Sequence, residues 1–415
     1  MITPSNHQLS AVREVVAWFR AWQAGDRRRR KFELQGAAGT GKTALASFIV
    51  RELGLDMADV AAACPTGKAA HVLRGKGFPQ AQTIHSLIYR VIQKGRGKVP
   101  ELEAAILTLR AQGAPESMIR RIEKEIKNEI QGLHKLSFSL NIESDLRGAK
   151  LLIVDERSMV PDDVAEDLFT FGVPILFLGD PYQLPPVKGA GLLAQDKPDA
   201  LLTEIHRQAA KSAVIRLATW AREGKRIDPG DYPDEDGPYI SRVVIRPDPA
   251  RLLSADQIIV GRNATRHRTN AWMRYKLGRE SPLPVACDRL VCLRNNASLG
   301  LMNGALYTAA ADAVSFDDDY CTLSVTSDDF PEIGAVEMTV HARVFGHDPK
   351  DVLQPWDYNE AELFDYGYAL TVHKFQGSQA NTVALKSEWT NTATLKQWLY
   401  TGLSRAQHED YVILG

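Results

Sequence analysis

Phe32-Glu-Leu-Gln-Gly36-Ala-Ala-Gly-Thr-Gly-Lys42-Thr43 decides the fold of this chain. A short strand candidate leads into Gly36, Ala37, Ala38, Gly39, Thr40, Gly41, Lys42 and Thr43. These eight residues match G-x-x-x-x-G-K-[ST] completely. Lys42 to about Leu53 then reads as a helix. Strand, glycine-rich loop and helix form the setting this pattern requires. Glycine lets backbone N–H groups wrap phosphate oxygens, and the helix N-terminus adds partial positive charge. Lys42 is expected to reach the β- and γ-phosphates of ATP, and Thr43 to ligate magnesium.

Two further strand ends carry matching chemistry. Leu151-Leu-Ile-Val is a buried-type strand that ends in Asp155-Glu156. Asp155 is expected to bind magnesium, and Glu156 to act as general base on the attacking water. Adjacent acids after a strand are often a plain polar turn, but beside a phosphate loop the catalytic reading dominates. Gly179-Asp-Pro-Tyr-Gln183 follows another apolar run. Gln183 reads either as a reporter of the γ-phosphate or as part of a Gly-Asp-Pro turn, and spacing leaves both open. Phosphoryl transfer also needs positive charge on the transition state. Arg207 and Arg405 are the candidates, although a lone arginine reads equally as a surface ion pair.

The chain has 415 residues, enough for two or three domains at roughly 100–200 residues each. Hydrophobic residues make up 44%, in the range of globular proteins. Cys64, Cys287, Cys292 and Cys321 form no C-x-x-C pair, so a reduced, cytoplasmic setting is expected. No stretch resembles a signal peptide or approaches the roughly 18 apolar residues of a membrane span. The net charge of −1 is segregated. Leu301 to Asp365 holds 14 acidic residues against Arg343 and Lys350, a net of −12, so the remainder carries −1 − (−12) = +11. A basic body suits a polyanionic partner. The acidic stretch reads equally as a solvated small domain.

Further strand candidates are Val60 to Ala63, Pro174 to Leu178, Gln257 to Val260, Thr382 to Leu385 and Tyr411 to Leu414. Gln8 to Gln23 has apolar residues at helical spacing, at Leu9, Val12, Val16 and Phe19. Arg27 to Lys31 reads as a solvated helix end or a phosphate patch. Between Leu87 and Lys150 two helical patterns flank Gly113-Ala-Pro115. The second puts Ile119, Ile122, Ile126, Ile130 and Leu133 on one face, with Arg120, Arg121, Lys124 and Lys127 elsewhere. Those cations read as a nucleic-acid contact or an ordinary solvated face. From about Leu290 to Leu363 the texture is β-like, with runs starting at Leu290, Cys321 and Val336.

Taken in order, these segments resemble the superfamily 1 helicases, within them the RecD-like and Dda-like branch. Gln8, with Ala11 and Val12, is similar to the Q motif that reads adenine. Gly36 to Thr43 is similar to motif I. Cys64-Pro-Thr-Gly-Lys-Ala-Ala70 resembles motif Ia, with Thr83-Ile-His85 as its companion. Asp155-Glu-Arg-Ser158 resembles motif II, and Gly179 to Val187 motif III. Leu202 to Gln208 resembles motif IV, Tyr368 to Ser378 motif V, and Tyr400 to Ala406 motif VI. The match runs from residue 8 to 406.

The resemblance implies an α/β fold. Two RecA-like P-loop NTPase domains are expected, with a helical or hairpin insertion in the first and a small SH3-like β-domain inserted in the second. The expected boundaries are 1–86 and 149–200 for domain 1A, 87–148 for insertion 1B, 201–289 and 364–415 for domain 2A, and 290–363 for 2B. It implies ATP in the cleft, bound by Gln8, the loop and Gly377 and served by Lys42, Thr43, Asp155, Glu156, Gln183, Arg207 and Arg405. Pro65, Thr66, Thr83, His85, Thr371 and His373 are expected along single-stranded DNA. Phe138, exposed on a strand pair expected around Leu133 to Asn141, is the candidate residue of a strand-splitting pin.

The implied activity is ATP-dependent 5′-to-3′ movement and unwinding at single-strand/duplex junctions. A monomer, a single-strand-binding protein or replisome component as partner, and 2B closing against the first domain's insertion are further expectations. The length and lack of accessory domains suggest a phage or mobile-element helicase. An RNA-directed helicase or a non-motor recruitment module are the alternatives.

Overall fold

The computed structural model describes residues 4–92, 99–111, 118–120, 122–123, 137–186, 197–205, 211–328, 334–354, 357–388 and 391–414. The first unit contributes β1 (Lys31–Gly36), β2 (Val60–Cys64) and β3 (Gln82–Thr83). Hairpin strands β4 (Tyr89–Ile92) and β5 (Ser137–Leu140) follow, then β6 (Leu151–Val154), β7 (Ile175–Gly179) and β8 (Ala200–Leu202). Its six-stranded sheet runs β3-β2-β6-β7-β1-β8, and every pairing in it is parallel. The β6 and β7 strands are buried at every residue, as expected of a parallel sheet covered on both faces.

Helices α1 (Asn6–Gln23) and α2 (Lys42–Glu52) belong to this cover. The Ser5 side chain and Gln8 form a capping box at the start of α1, satisfying two backbone donors reciprocally. The buried seam of α1 is Ala11, Val12, Val15, Trp18, Phe19 and Trp22. Leu9 and Val16 lie only half-buried at its edge, because the two tryptophans widen the apolar face beyond the expected four residues.

The second unit contributes β9 (Gly230–Pro233), β10 (Ile240–Val244) and β11 (Gln257–Val260) before the inserted sheet, and β18 (Ala369–Thr371), β19 (Ala380–Ser387) and β20 (Ala406–Leu414) after it. Its sheet order is β18-β11-β19-β20-β10-β9. The pairings are parallel except for β9 on β10.

The inserted sheet comprises β12 (Arg289–Cys292), β13 (Leu306–Ala309), β14 (Val314–Ser315), β15 (Tyr320–Ser327), β16 (Ala335–His341) and β17 (Phe364–Tyr366). All its strand pairings are antiparallel. The β15 strand largely alternates buried and half-buried residues, the period of a sheet with one face in the core.

Two boundaries differ from expectation. The β8 strand pairs with β1, so the first sheet reaches Leu202 rather than 200. The β17 strand pairs with β12, so the inserted sheet runs past 363 to Tyr366. A register of three residues on a neighbouring sheet carries no local signal in sequence.

In the first unit's insertion, β4 and β5 pair antiparallel with Val91 opposite Phe138. The expected strand pair is therefore present. The Phe138 side chain, Gly113 to Pro115, and Ile126, Ile130 and Leu133 lie outside the described residues. The described helical part includes a helix at Val99–Ala111 and helical residues at 118–120 and 122–123.

The charge segregation has a structural use. Arg266, fully buried in the helix Asn263–Lys276, donates from Nη1 to Asp365 at 2.8 Å, and its Nη2 lies 3.4 Å from Asp348. Acids of the negative stretch thus neutralise part of the basic body instead of leaving all of it to a polyanion. The inserted sheet also reaches the first unit. A Cβ built on Gly67 would lie 3.3 Å from Met302. That contact is with the segment after β2. The expected contact with the first unit's insertion falls on a region largely outside the described residues.

Candidate functional site

The glycine-rich loop sits at the C-terminal edge of β1. Gly36 is required there: a Cβ would fall 2.6 Å from Thr40 Oγ1 and 2.9 Å from Leu202 Cβ. Gly41 caps α2 at φ 76°, a left-handed conformation that glycine adopts without steric cost. Lys42 Nζ donates to the carbonyls of Gly36 at 2.6 Å and Ala37 at 2.9 Å. Gln8 Nε2, buried, donates to the Thr40 carbonyl at 3.0 Å. The N-terminal helix is thereby tied to the loop's far side.

The predicted magnesium pair is in contact. Thr43 Oγ1 donates to Asp155 Oδ2 at 3.0 Å. A hydroxyl and a carboxylate oxygen are hard donors of the kind magnesium takes. Glu156 is held at φ 55°, which a non-glycine residue adopts at a cost and which clusters at functional sites. Burial and the Asp155 charge push the Glu156 pKa up, while Arg405 and Lys42 pull it down and Asp180 adds a smaller upward push. A carboxyl whose pKa is raised is a stronger base once ionised.

Arg405 arrives from the second unit and is 4% exposed. Its Nε donates to the Thr401 carbonyl at 3.0 Å and its Nη2 to Ser404 Oγ at 3.0 Å. These bonds aim a guanidinium that would otherwise be free to rotate. Gln183 is buried, and its Oε1 accepts from Gln376 Nε2 at 3.3 Å. Gln376 Nε2 also donates to the Leu184 carbonyl at 3.1 Å and lies 3.3 Å from Ser158 Oγ. Arg207 lies outside the described residues. A Cβ on Gly377 would meet Thr66 and Ala69, each at 3.8 Å. Gly377 thus faces the segment after β2, and the carbonyl of the next residue, Ser378, accepts from Arg405 Nη1 at 3.4 Å.

The strand-binding candidates share one local design. Thr66 accepts from Ala69 N, Thr83 from Ser86 N and Thr371 from Lys374 N. Each is the N-cap of a helix that leaves the C-terminal end of a parallel strand. Pro65 sits between β2 and the first of these caps. His85 is exposed, with its ring 5.2 Å from Tyr89. His373 is half-buried, and burial lowers its pKa. In the first sheet the nucleotide candidates stand on β6, β7 and β1, and the single-strand candidates on the neighbouring β3 and β2.

Sequence reasoning missed Gln376, Tyr400, Asp180 and Thr401. Each lies inside a quoted motif, but only the folded chain shows what it touches. The Tyr400 hydroxyl accepts from Ala38 N at 2.7 Å and donates to Asp180 Oδ2 at 2.5 Å. Thr401 Oγ1 accepts from Leu184 N at 2.9 Å.

The AAA domain family matches residues 6–236, more than half of the chain. The UvrD-like helicase C-terminal domain matches residues 366–413. The chain belongs to the AAA domain family.

It is 31% identical over 278 residues to the ATP-dependent RecD2 DNA helicase of Deinococcus radiodurans, covering 62% of this chain and 35% of that protein. The chain thus spans about a third of that relative's length. Two solved Pif1 helicase structures share the fold at 17% identity. One, of two coordinating Pif1 helicases with forked duplex DNA, has a TM-score of 0.54 and covers 99% of this chain and 92% of its own. The other, of Bacteroides Pif1 with ADP-AlF3 and single-stranded DNA, has a TM-score of 0.52 and covers 100% and 92%. The motifs described above converge where the two parallel-sheet units meet. Among the described residues, no helix is long and apolar enough to cross a membrane.

Proposed function

We propose that the chain is an ATP- and magnesium-dependent DNA helicase that moves 5′-to-3′ along single-stranded DNA and opens duplex at junctions. The observation that carries this reading is the make-up of the cleft. The Thr43–Asp155 pair and Glu156 belong to the first unit, while Arg405 and Gln376 belong to the second. Hydrolysis therefore needs both units in register, and the register changes with the nucleotide state. Magnesium, held by Thr43 and Asp155, would supply charge neutralisation at the phosphates. Lys42 and Arg405 carry the protein's share of that charge, and Glu156 takes the proton from water.

Coupling to the strand runs through one helical turn. Thr371 caps Val372–Phe375, and Gln376 follows directly. His373 on that turn faces the strand in this proposal, while Gln376 grips Gln183 and Ser158. A shift of the turn moves both ends together. Phe138, on the β4–β5 hairpin, is the pin candidate. The inserted antiparallel sheet fills the role of the SH3-like 2B domain, covering the strand from above. A monomer suffices, since both halves of the cleft lie in one chain, and a single-strand-binding protein is a fitting partner.

The deciding experiment compares unwinding of duplexes with a 5′ or a 3′ single-stranded tail. Unwinding from the 5′ tail alone is expected. Unwinding only from the 3′ tail contradicts the polarity, and DNA-stimulated ATPase without unwinding leaves a translocase without a working pin.

A further inference from the structure

The helix Leu395–Leu403 brings Tyr400 to the phosphate loop, 362 residues away in sequence. Its ring is buried and stands edge-on to Tyr182 at 6.0 Å. Its hydroxyl takes the Ala38 N–H and gives its own proton to Asp180. Asp180 is itself anchored: its Oδ1 accepts from Tyr182 N at 3.0 Å, and its carbonyl accepts from Gln183 N at 3.3 Å. One phenol thus joins the phosphate loop, the turn that carries Gln183 and the helix that leads to Arg405. The next residue repeats the tie, with Thr401 Oγ1 accepting from Leu184 N and the Thr401 carbonyl accepting from Arg405 Nε. Burial and the adjacent Asp180 raise the phenol's pKa far above its usual value. The hydroxyl therefore keeps its proton and donates and accepts at once.

We propose that Tyr400 is a positioning residue for ATP hydrolysis: its hydroxyl sets the Arg405 helix in register with the phosphate loop through Ala38 and Asp180. The proposal rests on the nucleotide reading of the cleft. Its geometry makes a specific division. The loop's own Lys42 and Thr43 hold nucleotide without the phenol, so binding survives its loss. Arg405 is placed by the helix that Tyr400 anchors, so the hydrolytic step does not.

The test is Tyr400→Phe, which keeps the ring and removes only the hydroxyl. We expect kcat for DNA-stimulated ATP hydrolysis to fall about tenfold, with KM for ATP within about threefold of wild type. Asp180→Asn should give the same split, and the double variant should be no worse than either single one, since both remove one linkage. Binding of a fluorescent ATP analogue by both variants should match wild type. A Tyr400→Phe kcat within about twofold of wild type, or fully additive losses in the double variant, overturns the proposal. Parallel losses in kcat, analogue binding and urea midpoint also overturn it, because they mark a purely structural role. If the wild-type chain itself fails to bind the analogue, the nucleotide reading fails and takes this proposal with it.

Discussion

The two parallel sheets each send a strand into a turn and then a helix, and they fill the helix N-terminus in opposite ways. In the first unit, β1 leads through Gly36 to Thr43 into α2, and the loop presents backbone N–H groups and Lys42. In the second, β11 leads through Gly261 and Arg262 into Asn263–Lys276. There Glu388 Oε1 accepts from Gly261 N at 2.9 Å and Arg262 N at 3.1 Å, and its Oε2 accepts from Thr265 Oγ1 at 2.8 Å. A helix N-terminus attracts an anion in both cases. One unit reserves that attraction for a ligand, and the other satisfies it with a carboxylate of its own chain. On the proposed function, the same local geometry gives a nucleotide-binding element in one unit and a structural one in the other.

That contrast breaks most readily at Lys42. Lys42→Ala should lower ATP turnover by at least about a thousandfold, the scale of losing a charge aimed at the transferred phosphoryl group. Its urea midpoint should stay near wild type, since the hydrogen bonds of Lys42 Nζ go to loop carbonyls. Wild-type-like ATPase in this variant would contradict the site assignment.

Glu156→Gln should reduce hydrolysis by about a hundredfold or more while ATP binding persists. A folded variant that cannot bind ATP would count against Glu156 as the base. The wild-type pH profile sharpens the same point. Glu156 must be ionised to accept a proton, and burial with Asp155 raises its pKa against the opposing pull of Arg405 and Lys42. Activity should thus be present at neutral pH and fall on acidification at a pH above the ordinary glutamate value of about 4.3. An acid limb of kcat at or below that value would remove the argument.

Gln376→Ala should lower the stimulation of ATPase by single-stranded DNA about tenfold, with basal ATPase less affected, because it cuts the bonds between the Thr371–Phe375 turn and the Gln183 segment. Equal loss of basal and stimulated rates would show no coupling role. The smallest expected effect is at Glu388. Glu388→Ala should cost about 1–2 kcal/mol of stability, the scale of a lost cap at a helix N-terminus. Urea denaturation reads that cost. A large fall in turnover of the folded variant would erase the distinction between the two helix N-termini.

Much of the site was legible because its signals are local. Gly36 to Thr43 needs particular residues within eight positions, and Asp155 and Glu156 follow a run of four buried apolar residues. The partners were not legible. Glu388 lies 127 residues from Gly261, Gln376 lies 193 from Gln183, and neither separation leaves a periodic trace. The short strands β8 and β17 misled the boundaries for the same reason: three residues acquire strand character only by lying against a neighbour. The acidic stretch showed its charge in sequence but not that Asp365 and Asp348 meet Arg266.

By itself the sequence determined the phosphate loop, the carboxylates behind it, the alternation of strands and helices, and the order of the motifs. These depend on backbone conformation and side-chain chemistry within a few residues. The tertiary structure alone decided which helix N-terminus is filled by a carboxylate of the chain, how Arg405 is held, and where Tyr400 and Gln376 bind across the two units. Those outcomes depend on packing two sheets across a cleft, and packing brings together groups whose separation along the chain carries no information about their distance in space.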